Sequence, residues 1–295
     1  MIRCLPILLL CGAVGLLHAQ PALSPALLKP VNLDKLNTPK DEDDPFLSAD
    51  KLRLYYASNA DGRFNLFVSE RKAANLAWPA GKALEGATGD EETRSPCLTA
   101  DNHDLFFATK YIVKSPDKEL PINFDLVRSI RVAKGQFTAP VPVQAVCTPA
   151  DELHPWLAAD GKELYFSRNT KEGWRVFVST RKDTKTAFGE PKLVESLPVG
   201  FHHATLTRDG RVMYLQGPLE NERWGLFRST RPSGTAAWGK PEALASLNHP
   251  DGPRGDCSPS LSADGFKLYF ASDRPGGKGG RDLYVIDTVL LGRPK

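Results

Sequence analysis

This 295-residue sequence has little sulfur and almost no excess of charge: five cysteines, two methionines, and 38 basic against 35 acidic side chains, for a formal net charge of +3. A nucleic-acid binder wants a basic stripe interleaved with aromatics. Here the lysines and arginines are scattered among nearly as many acids, so that class is set aside. The cysteines form no CxxC pair and stand too far apart for a disulfide framework, which removes the usual zinc motifs and the small stapled folds. Cys4 and Cys11 lie in the N-terminal run. Of Cys97, Cys147 and Cys257 at most two can bridge, and small buried thiols are the expected role.

Long apolar runs are missing as well, with one exception. MIRCLPILLLCGAVGLLHAQ opens with one arginine, continues apolar, and ends in Leu17-His18-Ala19 before Gln20. The run is short for a membrane span and nothing resembling a stop-transfer segment follows, so residues 1–19 read as a secretory signal and 20–28 as a Pro-containing linker. A lipid-anchored variant would use Cys11, but Leu10 stands where that signal wants a small residue. The expectation is a periplasmic or secreted protein with no membrane span, monomeric and without a resident cofactor.

What the chain does contain is repetition. Five copies of one pattern recur: PFLSADKLRLYYAS from Pro45, SPCLTADNHDLFFAT from Ser95, HPWLAADGKELYFSR from His154, HATLTRDGRVMYLQ from His203 and SPSLSADGFKLYFAS from Ser258. Their turn aspartates, Asp50, Asp101, Asp160, Asp209 and Asp264, are 51, 59, 49 and 55 residues apart. A leucine stands three before each aspartate and an apolar or aromatic triplet follows it, which predicts two short buried strands joined by a tight turn. A third strand follows, as at Val176-Phe177-Val178, running in four copies into Ser-x-Arg. A proline and a leucine pair, as in PKLVESL and PEALASL, announce a fourth. Four strands at a period near fifty make a propeller blade.

The chain ends soon after the fifth third strand, at Leu283-Tyr284-Val285, with no PEALASL-type segment behind it. KPVNLDKLN, Lys29 to Asn37, precedes the first copy and matches KPEALASLN, Lys240 to Asn248, in spacing. The expected fold is therefore all-β: one five-bladed β-propeller of four-stranded blades over residues 29–295, closed by an N-terminal strand that completes the last blade and removes its open edge.

LSADGFKLYFASDRPGGKGGRDLYV, Leu261 to Val285, resembles the TolB-type, WD40-like propeller repeat of bacterial envelope proteins, and NLDKLNTPKDEDDPFLSAD resembles the form found beside OmpA-like domains. The resemblance runs from Lys29 onward. It implies a binding role, with an envelope protein or a cell-wall or glycan ligand as partner. The fourth copy departs from the pattern, with Ala204 where proline is usual.

In a propeller the first strand of each blade lines the channel, so the residues six to nine before each turn aspartate should gather at its mouth. These include Glu42, Asp43 and Asp44; Glu92, Arg94 and Ser95; Asp151, Glu152 and His154; His202 and His203; and Asp256, Cys257 and Ser258. Arg168, Asn169 and Arg274, just after second strands, should open on the same face, as should the long blade-two loop KYIVKSPDKELPINF. The favoured reading is a binding module using Glu42, Asp44, Glu92, Arg94, Asp151, Glu152, His154, Arg168, Asn169, His202, His203, Asp256 and Arg274. Many turn acids satisfy backbone donors instead. A metal set of His154, His202, His203 and Glu152 matches no known spacing, and adjacent histidines do not easily reach one ion, so no metal is assigned. The alternative function is a five-bladed glycoside hydrolase of the arabinanase or invertase type, with Asp44 of the Asp44-Pro45 pair as base. Against it, the proline recurs as Pro96, Pro155 and Pro259, so the pair belongs to the repeat. Trp78, Trp156, Trp174, Trp224 and Trp238 are expected to be structural, and GGKGG to be a hairpin loop, since no helix follows it.

Overall fold

A computed structural model describes residues 27–86, 91–110, 123–132 and 135–292. The N-terminal run expected to be a secretory signal and most of the long blade-two loop lie outside these residues. Among the described residues the structure is five four-stranded antiparallel sheets arranged as a ring, a five-bladed propeller. The innermost strands are Glu42–Leu47, Thr93–Leu98, Glu152–Leu157, His202–Leu206 and Asp256–Leu261. Each leads through its turn into a second and a third strand, and each outermost strand is only two residues long. None of the described helices is long and apolar enough to cross a membrane.

The repeat residues make the blade. Asp50 Oδ1 accepts from the Ser48 hydroxyl at 2.5 Å and the Leu52 N–H at 2.9 Å. Asp101, Asp209 and Asp264 do the same in their own turns, so these carboxylates shape the hairpin. The Ser-x-Arg arginines are likewise structural. Arg71, Arg131, Arg181 and Arg231 each donate Nε to a carbonyl of their own blade's turn, Lys51, Asn102, Gly161 and Gly210. Each guanidinium also lies over an aromatic ring ahead of the fourth strand, Trp78, Phe137, Phe188 and Trp238, at 3.9 to 4.5 Å from the centroid.

The core is divided among the blade interfaces. Five hydrophobic clusters form, one between each pair of neighbouring blades. The cluster joining the last blade to the first contains Leu36, Leu283 and Tyr269 with Leu47, Leu54 and Tyr56. The leucine three before each turn aspartate is buried in all five copies.

Closure follows the expected route. Val31 pairs with Val285 and Asn32 with Tyr284, so the N-terminal strand is the outer strand of the fifth blade. Asn37 accepts from the Leu283 N–H at 2.8 Å and donates to the Leu283 carbonyl at 3.2 Å. Asn248 treats Leu226 in the same way, at 2.8 and 3.0 Å. The matched asparagines of the two sequence segments thus perform one job in two blades.

Candidate functional site

Each innermost strand is irregular at one place. Pairing with the second strand jumps from Asp43 to Phe46, Arg94 to Cys97, Leu153 to Trp156, His202 to Thr205 and Cys257 to Ser260. Two residues there oppose one on the partner strand, a β-bulge. In four blades the second bulged residue is Pro45, Pro96, Pro155 or Pro259, which has no N–H to give the ladder. The residue before it takes a left-handed backbone: φ is 52° at Asp44, 56° at Ser95, 55° at His154, 53° at His203 and 54° at Ser258. For non-glycine residues this costs on the order of 1–2 kcal/mol each. Ala204 keeps the bulge in the fourth blade, so the packing of the ring imposes the shape even without proline.

The bulge brings these five side chains together where the innermost strands meet, and Asp44 reaches partners from all four other blades. Its Oδ2 accepts from the Ser95 N–H at 3.0 Å and the Ser95 hydroxyl at 3.1 Å. The Ser258 hydroxyl lies between Asp43 Oδ1 and Asp44 Oδ1. His154 Nε2 is 3.9 Å and His203 Nδ1 3.8 Å from Asp44 Oδ1. The two imidazoles stack with centroids 3.9 Å apart. Asp44 is only 3% exposed and His203 8%. A cavity of about 20 Å³, lined by Asp44, Ser95, His154, His203 and the residues after them, adjoins the ring.

The electrostatics follow from burial. Burial and then the charge of Asp43 hold the Asp44 carboxyl well above the usual carboxylate range. At Asp43 burial is outweighed by Arg281 and Arg94, which hold that carboxyl low. Burial lowers His203 to about 3 and His202 to about 4, and it lowers His154 strongly with help from His203, so the imidazoles are neutral. His203 Nδ1 is buried with no hydrogen-bond partner. An unmade buried hydrogen bond costs about 1–3 kcal/mol.

One residue earlier, a second ring of side chains fills the gaps between blades. Each lies beside the start of the preceding blade's third strand. Arg94 lies over the Phe64 ring, its CZ 3.5 Å from the centroid. Leu153 shares a cluster with Phe124, and Cys257 shares one with Trp224. Arg281 Nη1 donates to Asp43 Oδ2 at 3.1 Å. His202 stacks on Trp174 with centroids 5.1 Å apart and meets Trp224 edge-on at 4.8 Å. Trp174 and Trp224, expected to be only structural, are partly exposed and flank a predicted site histidine. Their signal was available: the slot reads Phe64, Phe124, Trp174, Trp224 and Arg281 around the ring.

The remaining predicted residues separate into two groups. Glu42, Glu152 and Asp256 do not open on the mouth; they staple blades together. Glu42 accepts from Thr38 N–H at 2.8 Å, the Thr38 hydroxyl at 2.7 Å and the Ser58 hydroxyl at 2.8 Å. Glu152 repeats this with Thr148 and takes Arg168 Nε at 2.7 Å. Asp256 accepts from the His249 N–H at 2.8 Å and Arg274 Nη2 at 2.7 Å. Arg168 and Arg274 also hold the Val146 and Leu247 carbonyls, so both guanidinia are engaged in the staple. The physical reason is that Thr38, Thr148 and His249 end the preceding blade with backbone donors that need a buried acceptor. Asp151 accepts from the Phe124 N–H at 3.0 Å. Glu92, by contrast, joins Arg94 at 2.9 Å and Lys110 at 2.8 Å in a partly exposed ion cluster, and Asn169 is exposed.

The histidines also depart from the expected metal grouping. His202 turns to the tryptophans and Glu152 to its staple, while His154, His203 and Asp44 converge, with one donor atom of each within 4.8 Å of the others. The bulge between His202 and His203 gives their rings different partners, although both lie near the His154 ring, at 5.6 and 3.9 Å between centroids.

No protein-family model matches the sequence, and no curated protein matches it. Solved structures do share the fold. The endo-arabinase from Bacteroides thetaiotaomicron VPI-5482 aligns over 88% of this chain and 96% of its own, at 15% identity and a TM-score of 0.57. The alpha-L-arabinofuranosidase PaAbf62A from Podospora anserina aligns over 87% and 94%, at 11% identity and a TM-score of 0.58. TolB from Acinetobacter baumannii aligns over 84% of this chain at 15% identity and a TM-score of 0.48, and the chain spans 54% of that protein's length. At these identities the likeness is one of fold.

Proposed function

We propose that the chain is an exported propeller of TolB type that binds a cell-envelope component, protein or glycan, at the mouth of its channel. The observation that carries the reading is the Trp174–His202–Trp224 group, two partly exposed aromatic rings fixed on a buried imidazole. Rigid aromatics offer contact area at little cost in conformational entropy, and they suit sugar faces and protein anchors alike. The Glu92, Arg94 and Lys110 cluster, on another blade, supplies polar contacts around the same ring. Because two of the five tryptophans sit in the site, their emission reports binding directly. Titrations with arabino- and xylo-oligosaccharides and with soluble peptidoglycan fragments should change that emission in the wild type, unless the ligand is a protein. Affinity capture from envelope extract would then retain a partner that Trp174→Ala with Trp224→Ala releases. A double variant that binds every ligand as the wild type does would remove the aromatic pair from the site.

The second reading is a glycoside hydrolase, favoured by Asp44-Pro45 and by the fold shared with arabinan-active enzymes. Such chemistry uses two carboxyl groups about 5–9.5 Å apart across the glycosidic bond. Asp44 is the one carboxyl among the five converging side chains, while Glu152 and Asp256 are bound to arginines in the staples. Turnover of arabinan that disappears in Asp44→Asn would reverse this ranking.

A further inference from the structure

We propose that Asp44, His154 and His203 form a mononuclear site for a divalent transition-metal ion of the zinc class, held where the five innermost strands converge. It goes beyond the binding role and stands whether or not the mouth takes an envelope ligand.

The donors come from three blades and share no sequence motif. His154 Nε2 and His203 Nδ1 stand 3.9 and 3.8 Å from Asp44 Oδ1. Those separations are too long for hydrogen bonds. Two atoms each about 2.1 Å from one tetrahedral ion lie roughly 3.4 Å apart; the three donors lie within 4.8 Å of one another, and the two rings, stacked at 3.9 Å with 19° between their planes, would have to tilt apart for both to point at the ion. The cavity beside the ring, about 20 Å³, has room for a single ion or water.

The surroundings are arranged as outer partners of a metal site would be. The Ser167 hydroxyl is 3.1 Å from His154 Nδ1, which fixes the ring and leaves Nε2 toward Asp44. The same Ser167 oxygen accepts the His203 backbone N–H at 2.9 Å, so one side chain positions both histidines. Ser95 occupies Asp44 Oδ2 with two hydrogen bonds, while Oδ1, which also accepts from the Ser258 hydroxyl at 3.2 Å, faces the imidazoles. Second partners of this kind orient ligands and set affinity.

An independent observation separates this from packing. His203 is 8% exposed, and its Nδ1, aimed at the same carboxylate oxygen, has no hydrogen-bond partner. Histidines serving only as stacked filler would leave that nitrogen orphaned in the interior, whereas an ion, or a water bound in its place, satisfies it. Two imidazoles and one carboxylate select zinc-like ions over calcium, which takes six to eight oxygens.

The test uses the full chain stripped with chelator, titrated with Zn²⁺ by calorimetry and with Co²⁺ by visible absorption. The expected result is one ion per chain with a cobalt ligand-field band. His154→Ala and His203→Ala should each weaken uptake at least about tenfold, and Ser167→Ala about 10- to 100-fold. Asp44→Asn keeps the side-chain volume and should also lose the ion, which guards against an alanine variant that fails to fold. Thermal unfolding of each metal-free variant establishes that it is folded before its affinity is read. No stoichiometric uptake by the wild type, equal uptake by wild type and all folded ligand variants, or uptake of Ca²⁺ but not Zn²⁺ or Co²⁺ would each overturn the proposal.

Discussion

Replacing Asn37 by alanine tests ring closure at a single side chain. Asn37 is 4% exposed and bridges the N-terminal segment to Leu283, near the start of the last blade's third strand. In Asn37→Ala the Leu283 N–H loses its acceptor inside the protein, while its carbonyl keeps the bond from the Leu33 N–H at 2.9 Å. One orphaned buried donor plus one lost buried hydrogen bond, with a further part-buried bond to Asn32 Oδ1 at 2.8 Å, amounts to about 2–4 kcal/mol. For a chain of this size that lowers the melting temperature by roughly 4–12 °C. Asn248 supplies an internal standard, because it holds Leu226 by the same two bonds and Leu226 keeps the Leu244 N–H at 2.9 Å. Urea unfolding of wild type, Asn37→Ala and Asn248→Ala should give similar losses for the two variants. If Asn248→Ala costs its full amount and Asn37→Ala stays within about 0.5 kcal/mol of wild type, the N-terminal strand does not close the ring.

Three further outcomes follow from single features. Ala204→Pro places proline at the one bulge that lacks it and should raise stability by about 0.4–1 kcal/mol in urea unfolding, by restricting the unfolded chain; a loss would mean the fourth bulge differs from the others. Burial pushes the thiols of Cys97 and Cys147 up to about 12 and holds that of Cys257 well above the free range, so all three should resist a thiol reagent at pH 8 until the protein is unfolded. Labelling of any of them at the rate of a free cysteine in native protein would contradict that. Burial also raises the Glu152 carboxyl above its unfolded value, so its contribution is fully present below the unfolded value of 4.5 and is lost as pH rises through the folded one. Relative to Glu152→Gln, the wild type should therefore lose stability as pH climbs from about 4, and parallel pH profiles would refute the assignment.

Much of the architecture was legible because it repeats. The turn aspartates and the leucines three before them fix the hairpins, and five copies at spacings near fifty fix five blades. The match of Asn37 to Asn248 announced closure, since both segments must present the same side chain to the same backbone. Trp78 and Trp238 also declared themselves structural by recurring ahead of fourth strands, whereas the stacking of the Ser-x-Arg arginines on that slot emerged only from the structure.

The candidate site was legible only to within four residues per blade. Alternation along a regular strand would send Glu42 and Asp44 to one face. The left-handed residue of the bulge breaks that alternation, so Asp44 joins the converging ring while Glu42 turns back to Thr38. The same break parts His202 from His203 and gives one to the tryptophans and the other to Asp44. Sequence alone thus determined the ring, its five members and the segments that line its channel, because those depend on local periodicity and spacing. Only the tertiary structure decided that Asp44, His154 and His203 meet, because that depends on three separate blades being turned toward one axis by closure and on a bulge whose direction no pattern of residues spells out.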